Sequence, residues 1–190
     1  MAANSHAKLE KDEWRTRLRP LRTEVEPSVE NDVVAGLAAF LEAEPGLFLF
    51  YRPMPHEFNL DDLAEQLGWH KFVTTRTPQT GSLTVHPAAS PTERHRFGFL
   101  QPVQGSPTVE LDEVAVALVP ALAFDRTGTR LGRGAGYFDQ LLSRIPSDCL
   151  RIGVTEEAFI FEELPSESHD ISMTHLATES GVRAVVGFGA

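Results

Sequence analysis

The stretch VAVALVP, residues 114–120, places apolar side chains at both its odd and its even positions. A strand with one wet face alternates apolar and polar residues, so a strand without alternation must be covered on both faces. Shorter runs repeat the pattern at LFLFY (47–51), KFVTT (71–75), CLRIGV (149–154) and VRAVVGF (182–188), with LTV (83–85) and RFGFL (96–100) as weaker candidates. Helical stretches lie between them. Trp14, Leu18, Leu21 and Val25 recur at intervals of four, three and four, within a helix that Pro20 should interrupt. Further helices are expected over 28–42, with Ser28 as N-cap, over 59–68, from Asn59 to Gly68, and over 137–145. Strands that alternate with helices predict an α/β fold: a single-domain, mostly parallel sheet with helices on both faces. The expected domain covers 8–190, preceded by a mobile 1–7 segment, and the proline-, glycine- and serine-rich 76–112 region is expected to be mostly loop.

The chain has 190 residues and a net charge of −10. It lacks the extended basic face of a nucleic-acid binder, so no nucleic acid is expected as partner. No apolar run is long enough to span a bilayer, and MAANSHAKLEKDEWR has no apolar leader core, so neither a membrane nor secretion is indicated. The single cysteine, Cys149, excludes an internal disulfide and a cysteine metal cluster, and is expected in the core. A cytoplasmic monomer is the expected state. The charge is unevenly spread: Lys8 to Arg22 holds six basic residues against three acidic, whereas Ile145 to Val182 holds eight acidic residues and only Arg151. A few arginines could thus hold a small anion within an acidic protein, and the acidic end would suit a metal cation.

The stretch RLGRGAGYFDQLL (130–142) puts Gly132, Gly134 and Gly136 beside Arg130 and Arg133 at the start of a helix. It is not a Walker loop, because no Gly-Lys-Ser/Thr follows, and not a dinucleotide fingerprint, because Tyr137 stands where the third glycine belongs. What remains is a loop whose amides and arginines suit phosphate. An ordinary glycine-rich surface turn is the other reading. Asp139, in the first turn of the helix, fits either a cation bridging to phosphate or a plain complement to the helix dipole.

Several blocks together resemble the 5-formyltetrahydrofolate cyclo-ligase family. VPALAFDRTGTRLGRGAGYFDQLL (119–142) resembles its signature, Lys11 and Arg15 its N-terminal Lys-x-x-x-Arg, YRPMPHEFNLDDL (51–63) its Pro…Glu block, RFGFLQP (96–102) its Phe-Gly…Pro block, and 152–182 its Leu-Pro, His-Asp and Thr-Glu pattern. The resemblance implies conversion of 5-formyltetrahydrofolate to 5,10-methenyltetrahydrofolate with ATP and magnesium (Mg2+), releasing ADP and phosphate. It implies ATP contacts at Lys11, Arg15 and the run Arg130, Leu131, Gly132, Arg133, Gly134, Ala135, Gly136, Tyr137 and Phe138. Folate contacts would come from Arg52, Glu57 and the shared residues Arg133, Gly134, Ala135, Gly136 and Tyr137. Asp139 and Asp170 would serve magnesium, with Arg133 and Tyr137 as the catalytic candidates.

Without the resemblance, Lys11 and Arg15 read as a solvated helix face, Glu57 as an exposed loop residue and Asp170 as a turn cap. His169 is taken as structural, and Trp14 and Trp69 as core. Departures from the family pattern are Phe138 for a second tyrosine, Gln101 for glutamate, Phe159 for glutamine and Thr75 for proline. They leave two rivals open: a non-catalytic folate- or nucleotide-binding paralogue, and an ATP-dependent enzyme of the same fold acting on another formamide.

Overall fold

The computed structural model describes residues 2–78 and 81–188, with side chains from residue 10 onward. Helix α1 (Ala2–Leu18) gives way to a 3-10 turn at Arg19–Leu21, where Pro20 ends the α-helical ladder as expected. The expectation of a mobile 1–7 segment falls on Met1 and on side chains outside the described residues. Helix α2 (Pro27–Leu41) begins one residue before the expected cap: Glu26 is the N-cap and Pro27 the first helical residue, so Ser28 lies inside the helix. Proline suits that place because its missing N–H would be unpaired there anyway.

Next come β1 (Leu47–Phe50), α3 (Asp61–Leu67), β2 (Phe72–Arg76), β3 (Thr84–Pro87), β4 (Thr92–Arg94) and β5 (Leu100–Pro102). The Asn59 side chain accepts the Asp61 N–H, and Gly68, at φ 94°, ends α3. Then follow β6 (Val114–Pro120), β7 (Ala123–Asp125), β8 (Arg130–Leu131), α4 (Tyr137–Leu142), β9 (Leu150–Val154), β10 (Ile160–Phe161), β11 (His175–Thr178) and β12 (Gly181–Ala184). Among the described residues no helix is long and apolar enough to cross a membrane.

Seven strands form one sheet in the order β12-β11-β9-β6-β1-β2-β3, with VAVALVP at its centre. The five inner strands are parallel, and β3 and β12 are antiparallel edges. Phe48, Phe50, Val116 and Leu118 face the core made with α2 and α3. Leu49, Ala117 and Val119 face the opposite core, made with Leu141 and Leu142 of α4. The sheet is therefore covered on both faces, as the unbroken apolar runs require.

Two sequence expectations are corrected. RFGFL (96–100) is not one continuous strand: 96–99 form the tip of the β4–β5 hairpin, turned at Gly98 with φ 95°, and Leu100 begins β5. VRAVVGF is a strand only as far as Ala184, and its partner HLAT was not anticipated.

Gly153 of β9 lies between Val119 and Leu176 on the neighbouring strands, and a methyl group there would come within 2.5–2.9 Å of the fully buried Phe124 ring. Paired on both sides, the strand has little room to shift. Gly153→Ala should cost about 1–3 kcal/mol by overpacking and lower the thermal midpoint by roughly 3–10 °C. An unchanged melting curve would show that the ring has room to move.

Candidate functional site

Strand β1 pairs with β2, its successor, on one side and with β6 on the other. Chain connections leave such a pair in opposite directions, which opens a crevice beyond the carboxyl ends of the strands. A cleft of about 480 Å³ lies here, with Tyr51 and Arg52 after β1 and Pro120 at the end of β6 on its wall. That volume suits a drug-sized or cofactor-sized ligand.

Thr75, Thr77, Leu83 and the hairpin-tip residues His95, Phe97 and Phe99 form one part of the wall, and four other stretches far apart in sequence supply its charged part. Lys11 and Arg15 come from α1, Glu57 from the loop after β1, Arg130 and Gly132 to Asp139 from the glycine-rich segment, and Glu167, His169 and Asp170 from the loop before β11. All the site residues singled out in the sequence line this cleft except Leu131. The Leu131 side chain packs instead with Leu18, Leu122, Ala123 and Leu164, because β8 pairs with β7 and turns it inward.

The glycine-rich segment is clamped to α1 through its carbonyls. Arg15 Nε donates to the Gly132 carbonyl at 2.9 Å, and an Arg19 terminal nitrogen donates to the Arg133 carbonyl at 3.0 Å. In a trans peptide the next N–H points the opposite way, so the amides of Arg133 and Gly134 face away from these arginines. Among the described residues the N–H groups of Arg133 to Gly136 make no turn or side-chain hydrogen bond. Gly136 reaches the left-handed region, at φ 70°, as the N-cap of α4, and Gly134 has φ 105°. Gly132 answers to space instead: a Cβ there would meet the Arg130 guanidinium at 2.5 Å.

The charged groups are paired. Arg130, buried, donates to Asp139 at 2.6 Å. Asp139 thus leans back toward the loop, as its place in the first helical turn predicts. Lys11, only 4% exposed, donates to Asp170 at 2.6 and 2.8 Å and to Glu167 at 2.9 Å. It is therefore no part of a solvated face. Asp170 also accepts the Glu167 N–H at 2.7 Å, so it closes a turn as well as holding a cation. Arg133 donates to Glu57 at 2.9 Å, and Glu57 accepts the Met54 N–H. Arg52 is occupied by Asp61 at 2.6 Å and by the Ala88 carbonyl at 3.0 Å, and lies over the Phe50 and Trp69 rings. Trp14 packs edge-on against Phe161, as a core-type residue should.

Glu167 escaped the sequence reading: it joins His169 and the expected Asp170, and the three bring ligand atoms within 4.8 Å of one another, a grouping able to hold a metal ion. His169, taken as structural, is exposed at the cleft wall. Arg22, read only as one more basic residue, is buried: it donates to the Ala121 and Leu122 carbonyls and the Thr155 hydroxyl, and lies 3.7 Å over the Phe159 ring. Burial, the largest cause, brings its pKa down to about 10. Cys149 is in the core, where burial pushes its thiol up to about 11.

The sequence pattern of the 5-formyltetrahydrofolate cyclo-ligase family matches residues 53–179. A protein of Mycolicibacterium smegmatis named 5-formyltetrahydrofolate cyclo-ligase is 44% identical over 83 residues, 43% of this chain and 43% of that one. One of Haemophilus influenzae with the same name is 29% identical over 86 residues, 44% and 46% of the two chains. The matched stretch spans less than half the length of these curated relatives. The NMR structure of a 5,10-methenyltetrahydrofolate synthetase from Aquifex aeolicus superposes with a TM-score of 0.76 at 26% identity, covering 95% of each chain. A synthetase of that name from Mycoplasma pneumoniae shares the fold at a TM-score of 0.71 and 17% identity, over 90% of this chain and 99% of its own.

Proposed function

This chain belongs to the 5-formyltetrahydrofolate cyclo-ligase family, and on that premise we propose that it converts 5-formyltetrahydrofolate to 5,10-methenyltetrahydrofolate, with ATP as co-substrate. The observation that carries the proposal is the convergence of Lys11, Arg15, Glu57, the 132–139 segment and Asp170 on one cleft. The Arg133 to Gly136 amides, with Arg15 and Arg130 beside them, would hold the triphosphate. A carboxylate has about four acceptor positions. Glu57 uses two, on Arg133 and the Met54 N–H, which leaves others for pterin N–H groups.

Asp139 and Asp170 are the carboxylates proposed for magnesium, and oxygen donors suit that hard cation. The donor chemistry fits this use: both are carboxylates on the cleft wall, Glu167 beside Asp170 adds a further oxygen donor, and magnesium would have to share or displace the Arg130 and Lys11 ion pairs. Magnesium bound there would offset the charge of the triphosphate.

The formyl oxygen is a poor leaving group until it carries a phosphoryl group. In the proposed reaction the formyl oxygen takes the γ-phosphoryl from ATP, ADP leaves, and an iminium carbon is left at N5. N10 attacks this carbon, its proton goes to solvent, and the C–O bond breaks as phosphate departs. The protein has to align the two substrates and stabilise moving charge. Arg133, joined to Glu57 on the folate side and belonging to the phosphate loop, is placed to do both. Tyr137, 37% exposed at the start of α4, offers a hydroxyl to the transferred group. One chain supplies every group in this scheme, so a monomer suffices.

The test is direct. Purified protein with 5-formyltetrahydrofolate, ATP and magnesium should give the ultraviolet absorbance of the methenyl product, with one ADP released per turnover. Folded protein that forms no product, or forms it without ATP, would sink the proposal.

A further inference from the structure

Strand β1 ends at Phe50, and the next side chain is unusual in its surroundings. Tyr51 is only 3% exposed and belongs to the apolar cluster that includes Phe48, Phe58 and Leu60. It also lines the cleft. Its hydroxyl makes no hydrogen bond among the described residues, although a tyrosine this buried normally finds a partner. Among the described residues the fully enclosed unpaired side-chain atoms are Arg52 Nε, Thr74 Oγ1, Ser106 Oγ and Arg130 Nε. The Tyr51 oxygen is not sealed in as these are, so it opens on the cleft. A buried tyrosine hydroxyl without a protein partner, on the wall of a ligand-sized cavity, is a group waiting for an acceptor.

The neighbourhood indicates what that acceptor is. Burial first, and then the nearby Glu57 carboxylate, push the phenol well above the ordinary tyrosine range. It therefore stays protonated and able to donate. Glu57 can only accept while ionised. A fixed donor beside a fixed acceptor complements the edge of a cyclic amide, where a carbonyl oxygen adjoins an N–H. Pterin carries such an edge in its 4-oxo group and N3–H. We propose, on the folate reading of this cleft, that Tyr51 is a further substrate-binding residue, whose hydroxyl donates to the 4-oxo oxygen while Glu57 accepts the neighbouring N3–H. The pair selects folates that keep the 4-oxo group.

Tyr51→Phe removes one oxygen atom and leaves the ring in the core, so a wild-type circular dichroism spectrum is expected. Its KM for 5-formyltetrahydrofolate should rise roughly three- to tenfold, the value of one neutral hydrogen bond, with kcat and the KM for ATP little changed. The 4-deoxo analogue, used as a competitor, should bind wild type and variant equally, because the oxygen that Tyr51 would hold is gone. An unchanged KM in the variant would overturn the assignment, and so would an equal loss of affinity for both compounds. A fall in kcat at constant KM would also overturn it, since that pattern belongs to a group on the reacting formyl oxygen. Wild-type protein inert toward 5-formyltetrahydrofolate would overturn the folate reading and this assignment with it. Active wild type with an unaffected variant would overturn the assignment alone.

Discussion

Replacing Asp139 with asparagine should lower magnesium-dependent turnover by roughly a hundredfold or more, the scale seen when one charge-stabilising group leaves an active site, while the protein stays folded. Asparagine preserves the shape of the side chain, and its carbonyl oxygen can still accept from Arg130, 2.6 Å away in the native pair. The loss is therefore confined to one negative charge. A neutral amide is a weaker ligand than a carboxylate for a hard divalent cation. The half-saturating magnesium concentration should accordingly rise, and added magnesium should recover part of the activity. Asp139→Ala is less clean, because it also strands the buried Arg130 guanidinium without an acceptor. If Asp139 served only the helix dipole or the orientation of Arg130, the asparagine variant would turn over at close to the wild-type rate with unchanged magnesium dependence. That result would refute the metal assignment.

The α/β fold was legible because VAVALVP and its shorter counterparts carry their own burial requirement: no face of them tolerates water. What stayed hidden was structure made by pairing. HLAT (175–178) looks like loop, with a polar SESHDISMT before it, and becomes a strand only because β9 and β12 lie on either side. The two- and three-residue strands β7, β8 and β10 likewise exist only through one another. RFGFL misled because an alternating pattern can cross a turn when glycine sits at its tip.

The site divides the same way. The residue types and their segments were legible through the family blocks, but the partners were not. Lys11 and Asp170 are 159 positions apart, and nothing local announces that they meet. Arg22 and Tyr51 passed unnoticed for a related reason. One looked like part of a basic stretch and the other like the end of a strand, and only burial distinguishes them.

The Lys11 pairing carries the second large prediction. Lys11→Met should lower stability by about 3 kcal/mol, the lower end of the range for removing one partner from a buried ion pair. For a chain of this size that is a fall in thermal midpoint of roughly 6–12 °C. The lower end applies because the Glu167 and Asp170 side chains keep 13% and 12% of their exposure, so some water reaches them. Methionine fills the volume of the lysine stem, which leaves charge as the main loss. Two carboxylates then face each other without a cation, and α1 loses its tie to the loop before β11. The remaining ties of α1 are the Arg15 and Arg19 bonds to the glycine-rich loop, the packing of Trp14 on Phe161, and the burial of Leu18. They should keep the helix docked, so the variant is expected to fold. Its KM for ATP should rise, since an α1 cation proposed for the phosphates has gone. Combining Lys11→Met with Asp170→Asn separates the two effects. Neutralising one of the stranded carboxylates should restore part of the lost stability, a non-additivity expected of residues in direct contact. It should restore no activity, because the double variant lacks both the lysine and a proposed magnesium ligand. Additive destabilisation in the double variant would mean that the Lys11–Asp170 contact contributes little to stability. Wild-type ATP kinetics in Lys11→Met would remove that residue from the nucleotide site.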